Sequence, residues 1–167
     1  MRQLGTPTVV PLGKFAHAFP VPDYFAYGSN LSGRQVFRRC PDAAFLAIAR
    51  LDGFALAFTR PSRRWGGHAA DVLPQPHSHV WGVLWRISEA DLLALDRFEG
   101  VASGAYVRAT GSVVTANGAS VAAEVYRVAA PADLGAPSPR YLHVILEGAR
   151  EHGLPSDWLH HLASFAS

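Results

Sequence analysis

Two short stretches of this chain combine residue types that could do chemistry. The first is Tyr27-Gly28-Ser29-Asn30-Leu31. Glycine opens backbone conformations closed to other residues, so the N–H groups of Gly28, Ser29 and Asn30 can converge on one point. Such donors, placed just before a helix, suit a carboxylate or a developing oxyanion. The second is Leu95-Asp96-Arg97-Phe98-Glu99-Gly100-Val101. Its Glu99 falls at the C-terminal end of an expected helix, where the macrodipole disfavours negative charge, and apolar Phe98 and Val101 flank it. A carboxyl so placed gains proton affinity, which a general acid/base working near neutrality requires. Asp96, three residues earlier, reads as a second carboxylate or as a surface partner for Arg97 or Arg86. Taken singly, each stretch also reads as a plain turn or a solvated helix end.

Other reactive side chains make poorer candidates. Cys40, the sole cysteine, sits at a helix C-terminus beside Pro41, where the dipole raises a thiol's pKa, so it reads as a small inert hydrophobe. Ser29 lacks a G-x-S-x-G elbow and a histidine partner. Among the eight histidines, His77 and His79 alternate on a strand, and His160 and His161 are adjacent on a helix. Neither spacing makes a zinc set, so these histidines read as surface or pocket-rim residues and no metal is expected.

The elements that must hold these residues can be read around them. Tyr24-Phe25-Ala26-Tyr27 is a short aromatic strand that ends at the Gly28 turn. Ser32 is the expected cap of a helix through Arg34–Arg39, stopped by Pro41. Ala43–Arg60 reads as two extended segments broken at Asp52-Gly53, followed by a Pro61–Gly67 loop carrying Arg63, Arg64 and Trp65. Ala69–Leu73 and Val80–Ile87 are the next strands. Ser88-Glu89-Ala90-Asp91 is a capping pattern that opens the helix ending at Gly100. Tyr106–Thr115 and Ser120–Val128 form a hairpin through Asn117-Gly118. A helix from about Arg140 to His152 follows, then a short one opened by Pro155. Strands in the middle and helices at the end indicate an α+β fold, not a regular βαβ alternation. Residues 1–22, punctuated by Pro7, Pro11, Pro20 and Pro22, read as an N-terminal extension, ordered arm or flexible tail, ahead of a single domain at 23–167.

Composition narrows the class. A chain of 167 residues, 49% of them hydrophobic, can bury a core without staples. A single cysteine allows no intrachain disulfide. No apolar run reaches the roughly 18 residues needed to cross a bilayer, and the N-terminus does not read as a secretory signal, so a cytoplasmic protein without membrane partners is expected. The net charge is only +2. Apart from Arg60, Arg63 and Arg64 the arginines are scattered, which argues against nucleic acid as a partner.

Several ordered segments resemble the γ-glutamylcyclotransferases and the wider AIG2-like group. They are Tyr27–Leu31, Trp65-Gly66-Gly67-His68-Ala69-Ala70-Asp71, Val80-Trp81-Gly82-Val83-Leu84-Trp85 and Leu95–Val101. Pro137-Ser138-Pro139-Arg140-Tyr141 and Gly148–Pro155 are similar to the group's C-terminal block. The resemblance runs from about Tyr24 to Leu162. It implies a compact mixed α/β fold with a small, mostly antiparallel, barrel-like sheet flanked by helices. Residue by residue, Tyr27, Gly28, Ser29 and Asn30 match the substrate-binding loop, and Glu99 matches the catalytic carboxylate. Tyr126 and Tyr141 match pocket tyrosines, and Tyr24 adds a wall. Asn30 departs from the glutathione-specific branch, whose loop usually reads Tyr-Gly-Ser-Leu.

The implied reaction converts a γ-glutamyl amide to 5-oxoproline and a free amine, by attack of the substrate's own α-amine with Glu99 as general acid/base. It implies a small-molecule γ-glutamyl substrate, no cofactor, and a monomer or homodimer. The Gly28–Asn30 amides would hold either the substrate carboxylate or the oxyanion. The Arg60–Trp65 loop would either meet a leaving-group carboxylate or be a solvated turn. Two alternatives share the fold. One is a non-catalytic binder of small acids, which a carboxylate in the site disfavours. The other is a cyclotransferase specific for γ-glutamylamines or a secondary metabolite.

Overall fold

The computed structural model describes residues 21–166, and in them five strands close into a barrel in the order β1-β3-β2-β4-β5. Nearly all of the expected 1–22 extension therefore lies outside the described residues; Pro22 is included, and its carbonyl accepts from Ile87 N–H at 3.1 Å. Strand β1 (Asp23–Ala26) is the short aromatic segment. Strands β2 (Ala44–Ser62) and β3 (Gly67–Arg86) form one long antiparallel hairpin. Strands β4 (Tyr106–Thr115) and β5 (Ser120–Val128) form the second, turning at Asn117-Gly118. β1 lies antiparallel on β3 and meets β5 in parallel at Tyr24 and Glu124. That single parallel seam closes a sheet that is otherwise antiparallel.

The core uses both faces of the sheet: Leu84 and Trp85, strand neighbours that point to opposite sides, are both buried. Phe25, Phe58, Val72, Val83 and Trp85 are all buried. Gly82 is small for a reason: a Cβ there would fall 2.3 Å from the Ala26 carbonyl oxygen, so only glycine lets β1 lie this close.

Two expected breaks are bulges instead. Gly53, at φ 80°, stands out of register between Asp52 and Phe54 while the ladder continues on either side. Opposite it the pairing passes from Pro74 to His79, skipping Pro76, which has no N–H to give, and His77, at φ 63°. Residues 69–73 and 80–86 therefore belong to one strand, bent where the sequence pattern is interrupted.

Four helices flank the barrel: α1 (Gly33–Arg39), α2 (Glu89–Phe98), α3 (Pro139–Glu151) and α4 (Ser156–Ala163). Ser88 caps α2 as expected, its hydroxyl accepting from Asp91 N–H at 3.1 Å. Ser32 does not cap α1 through its side chain. Glu151, at the end of α3, takes that role and accepts from Gly33 N–H at 3.2 Å. No described helix is long and apolar enough to cross a membrane.

Candidate active site

β1 delivers Tyr24 and Tyr27 to one end of the barrel, and the chain then coils into a 3-10 turn over Ser29–Leu31. Leu31 and Ser32 donate back to the carbonyls of Gly28 and Ser29 at 3.0 and 3.2 Å. The amides before them are first-turn donors without an intra-turn partner. Three contacts pin this turn. Trp85 Nε1 donates to the Asn30 carbonyl at 3.1 Å. Gln35 Nε2 donates to Ser29 Oγ at 3.2 Å. Helix α3 lies directly on the turn's backbone: a Cβ at Gly148 would come within 2.4 Å of both Leu31 C and Ser32 N. The same helix brings Tyr141, whose hydroxyl oxygen accepts from Ala70 N–H at 3.1 Å. Burial pushes Tyr141 up to about 12, against hydrogen bonding from the Ala70 and Ser29 backbone.

Glu99 follows α2 and closes it, its N–H donating to the Leu95 carbonyl at 2.8 Å. Gly100, at φ 67°, then turns the chain away in the left-handed conformation that favours glycine. The Glu99 carboxylate faces inward, 18% exposed, and Oε1 lies 3.3 Å from Arg39 Nη1. That same nitrogen donates to Asn30 Oδ1 at 3.2 Å, and Asn30 Nδ2 donates to the Tyr24 hydroxyl at 2.9 Å. The carboxylate is thus tied to the turn through one guanidinium. Its pKa is raised from the ordinary carboxylate value, chiefly by burial; Arg39, Arg60 and Arg64, in that order, pull it back down. Phe98 does not cover the carboxyl: its ring is exposed and lies against the Arg39 guanidinium, 5.2 Å from centroid to carbon.

These groups line a cleft of about 260 Å³, and every residue nominated from the sequence, Tyr24, Tyr27, Gly28, Ser29, Asn30, Glu99, Tyr126 and Tyr141, borders it. Their polar atoms are not equally free. Tyr27 donates to the Tyr126 carbonyl at 2.6 Å. Tyr126 donates to Asp96 Oδ1 at 2.8 Å, so it presents its ring to the cleft. Asp96 also pairs with Arg108 at 3.1 Å, and Arg86 pairs with Asp23 instead; Asp96 is thus a prop behind Tyr126 and not the partner of Arg97 or Arg86. Asn30 spends its side chain on Arg39 and Tyr24.

Two lining residues, Arg39 and Tyr106, carried no local signal. Arg39 is one of two arginines ending α1, and nothing in that context distinguishes it from Arg38. Tyr106, at the start of β4, donates to the Ala70 carbonyl at 3.1 Å. Arg60 closes the cleft above the Tyr106 ring at 5.6 Å. Arg60, Arg64 and Trp65, read from the sequence as a segment that would either meet a leaving-group carboxylate or turn in solvent, share one wall of the cleft.

The other reactive side chains lie elsewhere. Cys40 is fully buried, and burial followed by the nearby Asp91 pushes its thiol up to about 12. His77, His79 and His161 line a separate cleft with Trp81 and Trp158. Among the described residues no three or more His, Cys, Asp and Glu side chains gather as a metal-binding group.

The AIG2-like family model matches residues 79–162 of this chain. The chain is 40% identical over 139 residues to the γ-glutamylcyclotransferase of Bos taurus, covering 81% of this chain and 73% of the bovine protein. It is 39% identical, over the same span and shares, to the γ-glutamylcyclotransferase of Homo sapiens. A solved γ-glutamyl cyclotransferase structure superimposes with a TM-score of 0.83 at 37% identity, covering 86% of each chain.

Proposed function

This chain belongs to the γ-glutamylcyclotransferase family, and from that premise we propose that its cleft closes the glutamyl unit of a γ-glutamyl amide, with Glu99 as the acid/base. The substrate carries its own nucleophile. Its α-amine nitrogen bonds to the side-chain carbonyl carbon, and the bond from that carbon to the leaving nitrogen breaks. The proton shed by the attacking nitrogen ends on the leaving one. Products are 5-oxoproline and a free amine, with no water consumed.

What carries the reading is the placement of Glu99, the one carboxylate among the described lining residues, joined through Arg39 to the Gly28–Asn30 turn. The turn amides and the Tyr141 hydroxyl suit the polar end of a glutamyl unit. Holding amine and carbonyl in a near-attack geometry supplies most of the acceleration, since effective molarities on the order of 10⁵ M or more are reached by well-oriented intramolecular reactions. The α-ammonium, with an unperturbed pKa of about 8, must give up a proton first. A carboxylate made more basic by burial accepts it more readily, and the resulting acid can return it to a poor leaving nitrogen. The cleft suits a metabolite, lying just under the ~300–1,000 Å³ usual for small-molecule pockets.

The test is Glu99→Gln assayed for 5-oxoproline release from γ-glutamyl-alanine. Turnover should fall by at least roughly 10²–10⁴-fold, the usual worth of positioned proton transfer, with the circular dichroism spectrum retained. A folded variant turning over at close to the parent rate would remove Glu99 from the mechanism.

A further inference from the structure

The cleft is richer in positive charge than one ion pair needs. Its lining holds three guanidiniums, of Arg39, Arg60 and Arg64, against the single carboxylate of Glu99. Arg39 is already engaged by Glu99 and Asn30. Arg60 and Arg64 form no ion pair among the described residues. They are held by aromatic faces instead: Arg60 over Tyr106 at 5.6 Å and Arg64 over Trp65 at 5.4 Å. Such stacking fixes a guanidinium while leaving its in-plane N–H donors open to an anion.

The crowding is deliberate in one further respect. Arg140 also lies over Trp65, at 5.1 Å, and donates to the Arg64 carbonyl. Trp65 itself packs on Tyr141, ring centroids 4.7 Å apart. Like charges gathered on one indole repel unless an anion joins them. Arg64 registers this: burial, then Arg39, and also Arg140, lower its pKa, with Glu99 opposing.

Direction follows from the chemistry of the site. The glutamyl end sits at the turn, and Glu99 must reach the leaving nitrogen, so the leaving group extends toward the remaining wall. A γ-glutamyl conjugate of a neutral amino acid has net charge −1. A conjugate of aspartate or glutamate has net charge −2, which balances three guanidiniums and one carboxylate.

We propose that Arg60 and Arg64 form a subsite for a side-chain carboxylate on the leaving group, so that dicarboxylic amino acids are the preferred leaving amines. This rests on the cyclotransferase reading and specifies its substrate class.

The experiment compares γ-glutamyl-glutamate with γ-glutamyl-glutamine, which matches it in shape but lacks the charge, and with γ-glutamyl-alanine. Parent, Arg60→Gln and Arg64→Gln proteins are assayed for 5-oxoproline release at low salt. The readout is the ratio of kcat/KM for the glutamate over the glutamine substrate, which is insensitive to any general loss of activity in a variant. In the parent it should be about five-fold or more, the scale of a charge-assisted contact at a partly exposed site. It should fall toward one in Arg64→Gln and also in Arg60→Gln. Added salt should compress it in the parent. A parent ratio near one, or a ratio unchanged in both variants, overturns the subsite alone. If none of the three substrates yields 5-oxoproline, the reading of γ-glutamyl amino acids as substrates falls and takes the subsite with it.

Discussion

Arg39 touches both halves of the candidate site with one nitrogen, reaching Glu99 at 3.3 Å and Asn30 at 3.2 Å. Burial raises the Glu99 pKa, and Arg39 is the largest influence opposing it. In the proposed mechanism Glu99 acts first as a base, so activity should be lost as pH falls through its carboxyl pKa. Replacing Arg39 with Gln removes the opposing charge, lifts that pKa further, and should move the acid limb of kcat/KM to higher pH. The displacement should be upward because an opposite charge at this range favours the ionised carboxyl. Arg39→Lys keeps the charge and should recover most of the displacement. A pH–rate profile for Arg39→Gln that superimposes on the parent's would show that this guanidinium does not tune the carboxylate.

At the scale of elements, α3 governs the turn. Gly148 lies mid-helix, where alanine is ordinarily favoured over glycine by about 1 kcal/mol. Here the sign should reverse. A Cβ at this position meets Leu31 C and Ser32 N at 2.4 Å, and backbone atoms cannot rotate aside as a side chain would. Overpacking of this kind costs roughly 1–3 kcal/mol. Gly148→Ala should therefore lower the melting temperature by several degrees. It should also reduce kcat/KM well below the melting transition, because the shift falls on the segment that carries Ser29 and Asn30. Unchanged stability together with unchanged kinetics would mean that α3 has slack over the turn.

For the molecule as a whole, acid stability should depend on imidazoles packed against aromatic rings where helices meet the barrel. His152, just beyond α3, stacks on Phe45 at 5.0 Å and meets Trp85 edge-on at 5.1 Å. Burial lowers its pKa from 6.5, only partly offset by Glu151. His161, packed on Trp158 at 4.9 Å, is lowered too, again mainly by burial. A depressed imidazole is neutral in the fold, whereas the unfolded chain takes up a proton near 6.5. Its contribution is thus complete above that value and is lost as pH falls through the lower folded pKa. Glu99, raised by burial from 4.5, works in the opposite direction: it favours the fold when protonated, and that contribution fades as pH rises through its folded pKa. Scanning calorimetry at about pH 7 and about pH 5.5 separates the imidazole effect. His152→Phe should lose less melting temperature between the two than the parent does. Equal losses would assign the acid sensitivity to other groups.

What could be read directly from the sequence was local chemistry. The Ser88 cap, the Asn117-Gly118 hairpin and the glycine after Glu99 each involve partners within a few residues, and turn and capping rules act at that range. The Tyr27-Gly28-Ser29-Asn30 turn and Glu99, each of which taken singly also reads as a plain turn or a solvated helix end, were nominated by the ordered set of segments that resembles the γ-glutamylcyclotransferases. Which polar atom meets which was decided by the tertiary structure. Glu151 caps α1 from 118 residues away, Arg39 meets Glu99 across 60, and Tyr27 reaches the Tyr126 carbonyl across 99. No periodicity encodes such pairs. They arise when barrel closure and the seating of α3 bring distant segments together, and the same closure buries Glu99 and makes its carboxyl more basic.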